Sequence, residues 1–384
     1  MKSLLESRLN QVIAYKFFHN FATGMVSVFI PIFFAQQGLA IQEVFGIVLV
    51  QAAAFALIAV PVGKAVSRFG VNRSFLFSSL LYILLFASIH VFPVSIPLAV
   101  LAGVLNGMGM AFHWIPLNSE FTEGSESESR SRDYGKLEGI PSLVSPLAPL
   151  LGSLILAGAG FYTLLAVSFG IVVLSAVPLL AGGSTERPEI DLEESAVAGD
   201  RFLWVLYFVD GFASAPYTFV FPLFVYFAIG GTIETGMVKT LAGMGSGIIA
   251  LGSGVITSRT GRKRSLVSGA VFSAALCLMI PLLQSSFQAF ALSFFLGAGY
   301  IFYTVPLISI ISDIGDGREL LGFFSIREVF QNIGRIAVTS ILIAALYTLP
   351  QQLAFRVTFY LNAAALLLLA SLAIWIGKEE EAIS

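Results

Sequence analysis

The sequence predicts an all-α, polytopic membrane protein: twelve transmembrane helices in two pseudo-symmetric six-helix bundles. Three observations carry that expectation. Of 384 residues, 57% are hydrophobic and 11% charged, with a mean hydropathy of +0.89, whereas soluble domains carry about 25% charged residues. The apolar stretches run about 18 to 25 residues, enough to cross a hydrocarbon core of about 30 Å at 1.5 Å per residue. They lack the alternation of barrel strands. Third, subtracting 191 from a residue number turns the second half of the chain into the first: Gly63-Lys64-Ala65-Val66-Ser67-Arg68-Phe69-Gly70-Val71-Asn72-Arg73-Ser74 matches Gly254-Val255-Ile256-Thr257-Ser258-Arg259-Thr260-Gly261-Arg262-Lys263-Arg264-Ser265, 254 − 63 being 191. The same offset aligns Phe17, Phe21, Ala22, Pro31, Phe33 and Glu43 with Phe208, Phe212, Ala213, Pro222, Phe224 and Glu234.

The spans are expected at roughly 11–36, 41–66, 74–92, 94–118, 134–158, 161–182, 202–228, 233–257, 265–284, 287–312, 320–347 and 352–376. Met1–Gln11 carries Lys2, Glu6 and Arg8, and no small-residue cleavage site follows the first apolar run, so the first helix is expected to insert rather than be removed. The polar stretch Gly183–Asp200 reads as a cytoplasmic linker, dividing an N-terminal bundle (1–182) from a C-terminal one (201–384). A second polar stretch, Glu120–Asp133, reads as a connecting loop. Gly103, Gly107, Gly109, Gly243, Gly245, Gly247, Gly297 and Gly299 fall at helix-packing intervals.

Orientation follows from Lys and Arg. Lys2, Arg8, Lys64, Arg68, Arg73, Arg130, Arg132, Lys136, Arg187, Arg201, Arg259, Arg262, Lys263, Arg264, Arg318 and Lys378 lie at the termini or in every second loop, while Gln36–Ile41 and Phe92–Ser95 contain none. The positive-inside rule then places both termini in the cytoplasm of a cell membrane. The balance of 21 basic and 23 acidic residues gives no reason to expect a nucleic-acid partner. The single cysteine, Cys277, permits neither an internal disulfide nor a thiolate cluster and reads as a buried, inert thiol. No phosphate-binding Gly-x-x-x-x-Gly-Lys-Ser/Thr loop is present, so drive by ATP is not expected. No cofactor or resident metal is called for, and a monomer is expected.

The Gly63–Arg73 segment resembles the signature of the major facilitator superfamily between helices two and three, Gly-x-x-x-Asp-Arg-x-Gly-Arg-Arg, repeated more weakly between helices eight and nine. Gly63, Arg68, Gly70 and Arg73 fit it, as do Gly254, Arg259, Gly261 and Arg264. The resemblance implies a conformational-gating role for these residues. The signature's acid is replaced by Ser67 and Ser258, so the charged latch that the family forms there is weaker or differently built. The helix-four arginine of the family's drug and proton antiporters is absent. Ala148-Pro149-Leu150-Leu151-Gly152-Ser153 matches only the last part of their helix-five motif.

Charges at mid-depth cost at least about 2.5 to 3.5 kcal/mol each, which marks them as functional candidates. His19 lies about 13 Å into the first helix at 1.5 Å per residue, with Lys16 on nearly the same face. The repeat pairs His19 with Asp210, 210 − 19 being 191, and Tyr207, Ser214 and Tyr217 extend a stripe from Asp210. The resemblance implies that helices one, four, seven and ten line a central cavity, across which His19 and Asp210 are expected to face each other. His113 and Trp114 in the fourth span, and Tyr303 and Thr304 in the tenth, are candidate contacts for substrate. The eleventh span carries Glu328, Gln331, Asn332, Arg335 and Thr339 at helical spacing, with Arg327 beside them; Arg335, the deepest cation, is expected to balance Asp210 or an anionic substrate. Glu138, near Lys136, reads as interfacial, while Lys239 and Arg356 read as snorkelling residues without chemistry.

A duplicated membrane bundle with polar groups near its midplane points to a secondary transporter working by alternating access. The expected cargo is a small organic solute, moved with proton coupling through Asp210, Glu328 and His19 and exported rather than taken up. Substrate contacts are expected from His19, His113, Trp114, Asp210, Tyr217, Tyr303, Gln331, Asn332 and Arg335. Two alternatives stay open: a divalent-metal exporter using His19, His113 and Asp210 as ligands, and a non-transporting sensor. An enzyme is not expected, since no cluster of nucleophile, base and orienting group is visible.

Overall fold

The computed structural model describes residues 8–123, 146–180, 201–315 and 319–383, and their regular elements are all helical. Among the described residues ten helices are long and apolar enough to cross a membrane: Ala14–Gln36, Ile41–Phe69, Val71–Val91, Ile96–Glu123, Phe161–Leu180, Arg201–Ala228, Arg262–Leu282, Ser286–Gly315, Leu320–Thr348 and Gln351–Trp375. The shorter Leu147–Ala159, fifth in order, and the glycine-rich Thr232–Thr260, eighth, complete the twelve spans. The fourth span runs to Glu123, so Glu120–Glu123 are helical rather than part of a loop. Nothing from Asn118 to Glu123 breaks a helix, and the first glycine is Gly124. The remainder of that loop, the 183–200 stretch, Lys136, Glu138 and Arg318 lie outside the described residues.

The packing repeats as the sequence does. The second and third spans pack on the fourth, and the first on the fifth and sixth; the eighth and ninth pack on the tenth, and the seventh on the eleventh and twelfth. Each eight-nine or two-three corner is built alike. Gly70 and Gly261, related by 261 − 70 = 191, take φ of 85° and 82°, a left-handed conformation open to glycine at low cost, and turn the chain directly into the next helix. At the opposite ends Glu43 accepts from the Ala40 amide at 2.8 Å and Glu234 from the Gly231 amide at 2.9 Å, so each glutamate caps its helix and complements the positive end of the helix dipole.

Two further breaks are also repeat-related. Pro31 and Pro222 have no N–H, which removes the α-helical donor to the carbonyls of Ser27 and Thr218 four residues earlier. The first span is interrupted between Val26 and Phe29, and the seventh passes through a π-helical turn at Pro216–Val220. The two sets of six helices meet along the second and eleventh spans and along the fifth and eighth. Gln42 Nε2 donates to the Leu346 carbonyl at 3.0 Å at one end of the first pair, and Gly63 lies against Ser325 at the other. Thr240 Oγ1 accepts from the Leu150 amide at 3.2 Å in the second pair.

The outer surface is apolar, with Leu57, Phe77, Leu174, Phe287, Leu368 and Trp375 exposed, while Lys16, His19, His113, Asp210, Arg327 and Glu328 are buried. That inversion of the soluble pattern is what lipid imposes on a bundle enclosing a polar path.

Candidate functional site: two cavities that share a tryptophan

Close approach of the seventh and eleventh spans sets the first half of the site. A side chain at Gly211 would run into the backbone of Gln331, and one at Gly334 into the backbone of Phe208. With no Cβ at either point the helices seat directly on each other, and Asp210 is brought level with Gln331. Gln331 Nε2 donates to Asp210 Oδ2 at 2.6 Å. Arg327 places Nη2 3.6 Å from the same oxygen and donates from Nη1 to Glu328 Oε1 at 3.0 Å. Asn332 Nδ2 holds the Glu328 carbonyl at 2.8 Å, and Arg335 Nη1 donates to Asn332 Oδ1 at 3.2 Å. Asp210, Arg327, Glu328, Gln331 and Arg335 border a cavity of about 130 Å³ whose wall includes Trp114, Asn118, Tyr300 and Thr304. Two carboxylates and two guanidiniums are formally neutral when all are ionised, so one bound proton unbalances the cluster in a low-dielectric setting.

Trp114 also borders a larger cavity of about 240 Å³. There His19 and His113 stack with ring centroids 4.7 Å apart and planes 13° from parallel, inside a cage completed by Tyr15 and Tyr82. The Tyr15 hydroxyl lies 3.1 Å from His113 Nδ1. Both His19 Nδ1 and His113 Nε2 are buried without a hydrogen-bond partner. Asn106 Nδ2 donates to Gln51 Oε1 at 2.8 Å on the same wall. The freed carbonyl of Thr218 accepts from Lys239 Nζ at 3.3 Å, and the ammonium sits 5.4 Å from the centroid of the Tyr217 ring. Lys16 approaches Trp114 at 6.0 Å.

Several expectations change. His19 and Asp210 do not face each other: the repeat sets them at equivalent depth, but His19 turns into the third and fourth spans and Asp210 onto the eleventh, so they border different cavities. The cation beside Asp210 is Arg327, one helical turn from Gln331, not Arg335, which is occupied with Asn332. Tyr217 turns away to stack on Tyr300 at 4.1 Å and bond Ser246 at 2.9 Å. Tyr303 is buried among side chains, and its neighbours Tyr300 and Thr304 form the wall instead. Asn332 acts through Glu328 and Arg335. Lys239, read as a snorkelling side chain, borders the larger cavity; the signal was a lysine at the repeat position of Val48, 239 − 191 being 48. The histidines and Asp210, required together as metal ligands, are split between the cavities, and no group of three such ligands occurs among the described residues.

At the signature, Arg68, Arg73 and Arg264 are exposed, and the Ser67 hydroxyl donates to the Lys64 carbonyl at 2.9 Å. The side chain of Arg259 and the surroundings of Gly254 lie outside the described residues. Near the second copy, Asp313 of the tenth span pairs with Arg262.

The sequence profile of the Major Facilitator Superfamily matches residues 13–200 and again 203–383. The chain belongs to the major facilitator superfamily. Among solved structures, this superfamily member is similar to an outward-facing bacterial homologue of the iron transporter ferroportin with soaked iron, with a TM-score of 0.70 and 13% identity over 96% of this chain and 98% of that one. It is also similar to the Escherichia coli fucose:proton symporter, with a TM-score of 0.67 and 16% identity over 96% and 99%. The uncharacterised Bacillus subtilis protein YqgE is 21% identical over 252 residues, which span 62% of this chain and 59% of that protein. The protein is therefore a multi-pass membrane protein with the superfamily's twelve-helix fold.

Proposed function

We propose that the protein is a secondary active transporter that moves a small organic solute by alternating access and couples that movement to protons. The observation that carries the reading is the buried cluster of Asp210, Arg327, Glu328 and Gln331 beside a second, more apolar cavity. Protonating Asp210 or Glu328 weakens its attraction to Arg327 and leaves the buried cluster with one net positive charge, which biases the conformational populations. His19 is the titratable group on the solute side, with His113, Trp114, Gln331 and Arg335 as further contacts and Asn332 as their support. Residues 1–182 and 201–384 act as the two moving bodies, linked by 183–200. The glycine corners at Gly70 and Gly261, with Arg68, Arg73, Arg259 and Arg264, govern their rocking; Gly63 allows the packing behind the first corner, and Gly254 is the gating residue at its repeat position. The alternating Lys and Arg support cytoplasmic termini in a cell membrane, and the partial fifth-span motif supports export; the working unit is taken as a monomer.

The test is transport into proteoliposomes with an imposed pH gradient, screened over organic solutes. Asp210→Asn, fixed in the neutral form, is expected to exchange solute across the membrane but not to accumulate it, and to lose the wild-type pH profile. Accumulation by Asp210→Asn with an unchanged profile would remove the coupling role.

A further inference from the structure

We infer that the larger cavity takes a small amphipathic anion, a carboxylate of hexanoate size, and that Lys239 receives its charge. This rests on the transport reading and narrows its substrate class. The described residues bordering the cavity include Lys239 and two histidines but no aspartate or glutamate. Lys239 begins seven residues after Thr232, about 10 Å into its span at 1.5 Å per residue. Its hydrogen-bond partner is a backbone carbonyl at 3.3 Å, its other neighbour the face of Tyr217, and it has no carboxylate partner among the described residues. An ammonium at such depth is costly unless a counter-charge arrives. The cluster around Asp210 shows the contrast, since there each cation is matched by an acid or an amide inside the protein.

The rest of the cavity suits the remainder of such a molecule. Val28, Val48, Met110, Phe219 and Leu223 supply apolar surface. Two histidine nitrogens, His19 Nδ1 and His113 Nε2, are buried and unpaired on residues of the same wall. When Tyr15 donates to His113 Nδ1, the proton of the neutral ring sits on Nε2, which is then a donor in want of an acceptor. The volume of about 240 Å³ is many times the roughly 10–15 Å³ that one water needs, so the cavity has room for a small organic anion of hexanoate size rather than a lone inorganic ion. The repeat gives the polarity: Val48 stands where Lys239 would be in the other half, so one wall is cationic and its counterpart apolar.

The test uses purified protein in detergent with hexanoate, hexanol and hexylammonium as probes of one shape and three charges. Binding is read from the fluorescence of Trp114 in a Trp204→Phe, Trp375→Phe background. The rise in unfolding temperature of the otherwise unmodified chain gives a second, independent reading. Hexanoate is expected to bind saturably and hexylammonium not to bind. Lys239→Met should weaken hexanoate about tenfold or more, as expected for loss of a charge-assisted hydrogen bond, and Lys239→Arg should retain most of the affinity. Equal binding of hexanol or hexylammonium, unchanged affinity in Lys239→Met, or no saturable binding of hexanoate overturns the inference. If it falls while a pH gradient still drives some other solute in proteoliposomes, the transport reading stands without it. Hexanoate bound through Lys239 with no solute moved under any gradient would leave the anion site standing and remove transport instead.

Discussion

Arg327 is the residue whose loss the structure penalises most sharply. Its guanidinium lies 3.6 Å from Asp210 and 3.0 Å from Glu328, with all three side chains about 5% exposed or less. At an effective dielectric of about 20, each attraction amounts to about 5 kcal/mol before desolvation is counted. Arg327→Met removes both and leaves two buried acids near one another, with Arg335 the nearest remaining cation on that helix. Breaking a buried pair in this way costs about 3 to 5 kcal/mol, which lowers the unfolding temperature on the order of 10 °C. Adding Asp210→Asn and Glu328→Gln to Arg327→Met removes every charge involved and should recover most of that loss, because no uncompensated ion remains. The assay is thermal unfolding of the wild type, the single variant and the triple variant in lipid nanodiscs. Wild-type stability in Arg327→Met, or a triple variant no more stable than the single one, would show that charge pairing does not govern this site.

Gly211→Val should destabilise the chain or prevent its insertion, because the new side chain meets the Gln331 backbone; the yield of folded monomer by size exclusion measures it, and a normal yield would place the spans farther apart. Pro222→Ala restores an N–H four residues after Thr218 and should straighten the seventh span, competing with Lys239 for that carbonyl. Slower amide exchange at residue 222 than at its neighbours, together with reduced transport, is the expected result, and unaltered transport would separate the π-helical turn from function. Cysteines at Gln37 and Arg262 in a Cys277→Ala background should react with impermeant thiol reagents from opposite sides, since Gln37 follows the end of the first span and Arg262 opens the ninth, which runs in the same direction. Reaction from one side only is incompatible with the proposed orientation.

The repeat was legible because its landmarks are backbone chemistry. Glycines that must turn left-handed, prolines that lack a donor and glutamates that cap a helix do the same physical task in both halves, so Gly70 and Gly261, Pro31 and Pro222, and Glu43 and Glu234 survive as pairs. The polar face of the eleventh span was legible for a related reason, since spacing along one helix fixes which residues share a side. What spacing leaves open is axial register between helices. Arg327, Gln331 and Arg335 lie on one stripe, and the choice among them as partner to Asp210 depends on the seating of Gly211 and Gly334, which two separate segments determine jointly. Lys239 escaped for a different reason: distance from a helix end says how far a lysine must reach for water, but not whether a cavity lies beside it.

Trp114 is a wall of both cavities, and that shared wall ties the two equilibria together. If solute in one compartment and a proton in the other each prefer a different position of the indole, thermodynamic linkage makes their influence mutual: the factor by which a proton alters solute affinity is the factor by which solute alters proton affinity. Titrating the acids with and without solute would then measure the same coupling free energy as titrating solute at two values of pH. A smaller side chain at 114 would merge the compartments, leaving each ligand able to bind while removing the knowledge either has of the other.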